Sequence, residues 1–152
     1  IRMIRPARVH IDLTALRNNF SIARQLAGET KLMAVIKADA YGHGMLEVAQ
    51  ALTDADAFAV ASVGEGEQLR SFGITQPILV LQGAHHSSQL KQAVESELTL
   101  CIHQIGQIED LQKYRGRWPT AWLKLDTGMG RLGFPPADLD SLLNTLGKNC
   151  ES

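Results

Sequence analysis

The chain has 152 residues, enough for one domain with a proper core, and its 45% hydrophobic and 20% charged content is that of an ordinary globular protein. Lys and Arg number 15 against 16 Asp and Glu, a net charge of −1 with no basic stripe, so neither nucleic acid nor an anionic membrane surface is an expected partner. No apolar stretch approaches the roughly 20 residues that span a bilayer, and Ile1-Arg2-Met3-Ile4-Arg5-Pro6 lacks the apolar centre of a signal peptide.

Cys101 lies in an apolar run and Cys150 near the C-terminus, so no disulfide framework is expected and a reducing cytoplasm fits best. Residues 7–13 alternate apolar with polar, which predicts a half-exposed strand carrying His10 on its surface. Thr14 is suited to cap a following helix. Leu16, Phe20, Ile22, Ala23 and Leu26 would form its apolar face and Gly28 its stop. Beyond it the pattern repeats every 20 to 25 residues or so, with strands predicted at 31–37, 57–62, 77–82, 98–103 and 120–126 and helices at 45–53, 64–72, 87–95 and 104–114. The last pattern, from Pro135 to Leu146, reads as a helix opened by prolines.

Strands alternating with helices indicate βαβ units and a parallel sheet. No Gly-x-Gly-x-x-Gly follows the first strand, which argues for part of a barrel over a dinucleotide fold, with a flavodoxin-like doubly wound sheet as the alternative. Gly64-Glu65-Gly66-Glu67 reads as a helix start whose acids suit the dipole.

The first strand ends on a lysine, in Ala34-Val35-Ile36-Lys37-Ala38-Asp39-Ala40-Tyr41-Gly42-His43-Gly44. The amine of Lys37 either snorkels past the strand end into water or is desolvated, in which case its neutral form attacks carbonyls to make a Schiff base. Gly42 and Gly44 permit positive φ and close backbone approach. Asp39 reads as a loop hydrogen-bonder or cap, and His43 as structural. Tyr41 is either a rim aromatic packed on the helix or a hydroxyl turned toward a ligand. Farther on, Arg131 offers a planar fork suited to a carboxylate, unless it is a surface arginine in a salt bridge. Asp126 and Thr127 are suited to shaping the turn after their strand. His85, His86 and His103 complete no ligand set at a recognised spacing, so no metal is expected.

Two blocks carry a resemblance. Lys37-Ala38-Asp39-Ala40-Tyr41-Gly42-His43-Gly44 resembles the pyridoxal phosphate attachment signature of the alanine racemase family, and Lys124-Leu125-Asp126-Thr127-Gly128-Met129-Gly130-Arg131-Leu132-Gly133-Phe134 resembles that family's other N-terminal signature. They stand in the family's order and at about its spacing. The resemblance implies a (β/α)8 barrel followed by a β-rich domain. A whole barrel takes about 250 residues, so the expected fold class is an α/β partial TIM-type barrel of about five βα units. Residues 1–30 would be an N-terminal strand and helix and residues 31–152 the incomplete barrel, with the family's C-terminal β domain absent and the chain a fragment or truncated product.

In such a barrel Lys37, Leu81 with Gln82, Lys124 with Asp126, and Arg131 all fall at the C-terminal ends of strands, where chemistry sits. By resemblance Lys37 is catalytic and bonds the pyridoxal phosphate aldehyde. Tyr41 binds the phosphate, Arg131 contacts both the substrate carboxylate and the cofactor's phenolic oxygen, and Leu81 lines the pocket near the ring. Lys124 is a candidate for carbamylation, which would give it an anionic group able to orient Arg131. The second base, a tyrosine, comes from the partner subunit's C-terminal domain in the family.

The resemblance implies a bacterial homodimer, or higher homo-oligomer, that interconverts L- and D-alanine to supply peptidoglycan. A pyridoxal phosphate carrier on a related barrel is the alternative, separated by the second block, which a racemase needs and a carrier does not. Another barrel-type racemase or decarboxylase is the third reading. This chain alone is expected to be weakly active or inactive and, with open sheet edges, to self-associate.

Overall fold

A computed structural model describes residues 8–147 of the chain. The segment Ile1 to Pro6 and Cys150 lie outside the described residues. Five strands, β1 (Met33–Val35), β2 (Ala57–Val60), β3 (Ile78–Val80), β4 (Thr99–Ile102) and β5 (Ala121–Leu123), pair in parallel in the order of the sequence. That order is the one a barrel builds. A flavodoxin-like sheet instead places its second strand on the outer edge of the first, so the doubly wound alternative is excluded. The helices are α1 (Leu13–Ala27), a single turn α2 (Lys37–Gly42), α3 (Met45–Ala51), α4 (Val63–Ser71), α5 (Ser87–Glu95), α6 (Ile105–Lys113) and, after a 3₁₀ turn at Pro136–Asp138, α7 (Leu139–Gly147). Among the described residues no helix is long and apolar enough to cross a membrane.

Strand periodicity divides the sheet into two faces. Phe58, Val60, Ile78, Val80, Leu100 and Ile102 point toward the helices and belong to the main core, none more than 4% exposed. Each such side chain is worth about 1.5–3 kcal/mol when fully buried. The other face carries Ala59, Leu79 and Cys101, with Met33 and Leu81 packed beside them. Its rims stand open, with Val35 43% and Trp122 55% exposed. An apolar inner face ringed by helices on the outside is the cross-section of a barrel wall.

The structure corrects three expectations near the N-terminus. Residues 8–12 form no strand, because none of the five strands lies beside them to complete a ladder. The cap of α1 is Asp12, not Thr14: its Oδ1 accepts from Thr14 N at 2.9 Å and Ala15 N at 3.0 Å. The apolar face of α1 is also narrower than predicted. Leu16 and Phe20 reach the core, whereas Ile22 and Leu26 stand 56% and 86% exposed. The inward row continues instead through Arg24, at helical spacing from Leu16 and Phe20, and Arg24 donates to Asp54 O at 2.7 Å and pairs with Asp56 at 2.6 Å.

The helices predicted at 45–53, 64–72, 87–95 and 104–114 all form, while the strands are shorter than their predicted spans. β1 ends at Val35. Ile36 still donates to Ala59 O at 2.8 Å, and the chain then enters α2, whose residues Ala38, Asp39, Ala40 and Tyr41 all have φ between 51° and 56°. This is a turn of left-handed helix, disfavoured for L-residues by about 1–2 kcal/mol per residue. Several bonds hold it. Ala40 N donates to Ile36 O at 2.9 Å, Asp39 Oδ1 accepts from Met45 N at 2.7 Å, and Gly44 N donates to Asp39 O at 3.0 Å. His43 Nδ1 lies 2.8 Å from Ala40 O, and Gly42 and Gly44 carry the exit at φ 85° and 87°.

Candidate functional site

The left-handed turn delivers Lys37, half-buried, to the C-terminal end of the sheet. There it lines a cavity of about 610 Å³ together with Leu79, Leu81, Gln82, Cys101, Trp122, Lys124, Arg131 and Leu132. Four residues singled out in the sequence, Lys37, Leu81, Lys124 and Arg131, thus share one cavity, although they come from three different βα loops. Tyr41 does not share it: the residue is 61% exposed and lies outside the lining. The arrangement offers an amine, a second lysine and a guanidinium around apolar walls, which fits a planar anionic aldehyde at its ring end.

Lys124 follows β5 directly and stays in the ladder, donating from its N to Ile102 O at 2.8 Å. The loop beyond it closes on itself. Phe134 N donates to Lys124 O at 2.9 Å, Asp126 N donates to Phe134 O at 2.8 Å, and the buried Phe134 ring anchors the return. Inside this clasp Asp126 Oδ1 accepts from Gly128 N at 3.0 Å and Gly130 N at 3.1 Å. Those two bonds, with smaller help from Met129 N and the Lys124 charge, hold the Asp126 carboxyl below its ordinary 3.8. Gly133, at φ 121°, passes so close that a Cβ there would come within 2.7 Å of Asp126 N. Asp126 therefore shapes the turn, as expected, and the turn carries the exposed Arg131 to the cavity rim.

Asp39 and the ring of His43 act as turn fasteners. His103 is buried: its Nε2 sits 3.1 Å from Gln82 O and its backbone N donates to Gln107 Oε1 at 2.9 Å. Gln107 Nε2 donates to the same Gln82 oxygen at 2.8 Å, fixing the β3 loop that borders the cavity. Burial pushes the Cys101 thiol up, against a smaller opposing pull from Lys124. Sequence reasoning missed one group next to the site, the carboxylate of Glu65. It forms a capping box with Ser62 at the start of α4 and also accepts from Ala38 N at 2.8 Å. The Ser62-x-x-Glu65 spacing reveals the cap, but nothing local reveals the reach to residue 38.

Comparison with known proteins bears on the family and the fold. Residues 11–151 fit the family described as alanine racemase, N-terminal domain. An alanine racemase of Pseudomonas entomophila is 48% identical over 137 residues, 89% of this chain and 38% of that protein. A catabolic alanine racemase of Pseudomonas aeruginosa is 46% identical over 140 residues, 91% of this chain and 39% of its own length. Among solved structures, the biosynthetic alanine racemase of Pseudomonas aeruginosa superposes with a TM-score of 0.85 at 40% identity, covering 91% of this chain and 39% of that one. The alanine racemase of Acinetobacter baumannii gives 0.82 at 35% identity, covering 91% and 42%. The chain spans about two fifths of the length of the relatives it matches. With the family fit running almost end to end and the same partial barrel recurring in its relatives, the chain belongs to the alanine racemase family, within that family's N-terminal domain.

Proposed function

We propose that this chain forms the cofactor-binding part of a pyridoxal phosphate-dependent alanine racemase, acting in a bacterial cytoplasm to supply D-alanine for peptidoglycan. The observation that carries the reading is the convergence of Lys37, Lys124 and Arg131 on one cavity at the C-terminal rim of the sheet. Pyridoxal phosphate, when bound, supplies a conjugated ring that accepts the electron pair left on the substrate Cα.

In this reading Lys37 has two tasks. Its Nζ would hold the cofactor's aldehyde carbon, and the same amine, when not so bonded, would take and return the Cα proton on one face of the substrate. Arg131 binds the substrate carboxylate with its planar fork and leaves the Cα within reach of Lys37. Lys124, if carbamylated, would present an anion to Arg131 and fix its orientation; unmodified, it would repel it. Leu81 would pack against the ring, and Tyr41 would bind the phosphate after turning inward from its exposed position. Inversion needs a second acid–base group on the opposite face, which the proposal assigns to the C-terminal domain of the partner in a homodimer. Residues 31–152 would be the barrel part and residues 1–30 its lead-in.

The test uses the chain itself. Incubation with pyridoxal phosphate followed by borohydride should label a single peptide containing Lys37, and Lys37→Ala should abolish the label. Labelling spread over surface lysines, unchanged in Lys37→Ala, would refute the reading. A racemisation assay on the same preparation should show turnover far below that of a full-length enzyme. The presence of Arg131 and Lys124 in the cavity favours a racemase over a carrier, which has no substrate carboxylate to bind.

A further inference from the structure

We infer that Glu65 is the positioning residue for Lys37, holding the first amide of the left-handed turn so that the lysine faces the cavity. The inference rests on the cofactor-binding reading above. The carboxylate takes three backbone N–H donors from two separate segments. Its Oε1 accepts from Ala38 N at 2.8 Å; its Oε2 accepts from Ala61 N at 2.6 Å and Ser62 N at 3.2 Å. Ala38 directly follows Lys37, and Ala61, just past the end of β2, itself lines the cavity. One side chain therefore ties the lysine's segment to the neighbouring strand end.

A helix cap alone does not account for this. A capping box needs the Ser62 backbone N–H, and that bond is the longest of the three. The shorter bonds run to Ala61 and, across 27 residues of sequence, to Ala38. Ala38 also has the first positive φ in the turn, at 51°, so the bond sits where the backbone departs from its ordinary region. Backbone bonds hold Ile36 on the other side of the lysine, to Ala59 O and from Ala40 N, and the remaining fasteners act on Asp39 and beyond, leaving Glu65 as the side chain that grips Ala38 itself.

Glutamine at position 65 separates the two roles. A carboxylate has two acceptor oxygens and an amide has one. Turned toward Ala61 and Ser62, the amide oxygen keeps two bonds and the cap, and its NH₂ then faces Ala38 N–H donor against donor. Glu65→Gln should thus release Ala38 while α4 stays capped. Ser62→Ala does the reverse, since it removes the hydroxyl that accepts from Glu65 N at 3.3 Å and leaves the carboxylate on Ala38.

The experiment measures three quantities on the chain and both variants: hydrogen exchange at the Ala38 amide, the melting temperature, and the dissociation constant for pyridoxal phosphate from the visible absorbance of its adduct with Lys37. Glu65→Gln should accelerate Ala38 exchange and weaken the adduct about tenfold with little change in melting temperature. Ser62→Ala should lower the melting temperature and leave both other readouts near those of the parent chain. Unchanged Ala38 exchange and unchanged adduct affinity in Glu65→Gln would overturn the inference, as would equal weakening of the adduct in Ser62→Ala. If the parent chain forms no adduct at Lys37, the cofactor reading fails. Ala38 exchange then still decides whether Glu65 holds the turn.

Discussion

Arg70 donates to four backbone carbonyls at once: Ile74 O at 2.6 Å, Gln76 O at 2.8 Å, Ser96 O at 3.0 Å and Glu97 O at 3.2 Å. Those acceptors lie in the two returns that lead into β3 and β4, so one guanidinium sets the spacing of neighbouring βα units. Arg70→Ala should cost about 2–4 kcal/mol in urea denaturation, and Arg70→Lys should recover only part of it, because an ammonium cannot fork across two loops. Asp126 makes a pH-dependent contribution of definite sign. Its folded carboxyl is held below 3.8 mainly by Gly128 N and Gly130 N. The stability it adds is therefore complete above the unfolded value and is lost as pH falls through the lower, folded one. Asp126→Asn should unfold more easily at neutral pH and should close on the parent chain as the pH falls through the lowered folded value. Denaturation midpoints of both proteins between neutral and acidic pH check this, and a constant gap would contradict it. Asp126 was legible as a turn residue because its bonds are two and four residues away. Glu65 was not, because its reach to Ala38 crosses 27 positions.

At the scale of elements, the repeating strand and helix were legible wherever the period reflects burial. All five strands and the helices from α3 onward follow the pattern of apolar runs and amphipathic stretches. The N-terminal strand failed for a physical reason, since alternation describes a chain that could pair and cannot supply the neighbour. The left-handed turn was invisible because Ala38, Asp39, Ala40 and Tyr41 carry no backbone signal for positive φ. Only Gly42 and Gly44 marked the exit. Tertiary bonds impose that conformation against local preference, which gives a test. Ala38→Gly removes the steric penalty at φ 51° at the expense of unfolded-state entropy, so the chain should be unchanged or more stable by up to about 1 kcal/mol. The same substitution in the middle of α5, for example Gln92→Gly, should destabilise by about 0.5–1 kcal/mol. Thermal melts of the two variants distinguish an imposed left-handed turn from an ordinary right-handed one, in which Ala38→Gly would also destabilise.

For the whole molecule the decisive feature is that the two sheet faces are unequally covered. Helices bury one face almost completely, while the other keeps Ala59, Leu79 and Cys101 buried at its centre but leaves Val35 and Trp122 exposed at its rims, and β1 and β5 each have one strand neighbour among the described residues. Parallel sheets are stable when both faces are covered, and an edge strand offers unpaired N–H and C=O groups to any chain that meets it. The exposed inner rim is apolar at both edges, with Val35 at 43% and Trp122 at 55%. In isolation the chain should therefore associate with itself as its concentration rises. Val35 lies on the inner face of edge strand β1 and outside the cavity lining, so Val35→Lys tests this without touching the candidate site. A charge there opposes edge pairing and apolar contact between copies, and because the position is part-exposed its effect on folding stability should stay within about 0.5 kcal/mol. Sedimentation velocity at increasing concentration should show the parent chain shifting to larger species while Val35→Lys remains largely monomeric. A parent chain that sediments as a monomer throughout would show that the inner face needs no cover, and the open-barrel account of the surface would fail with it.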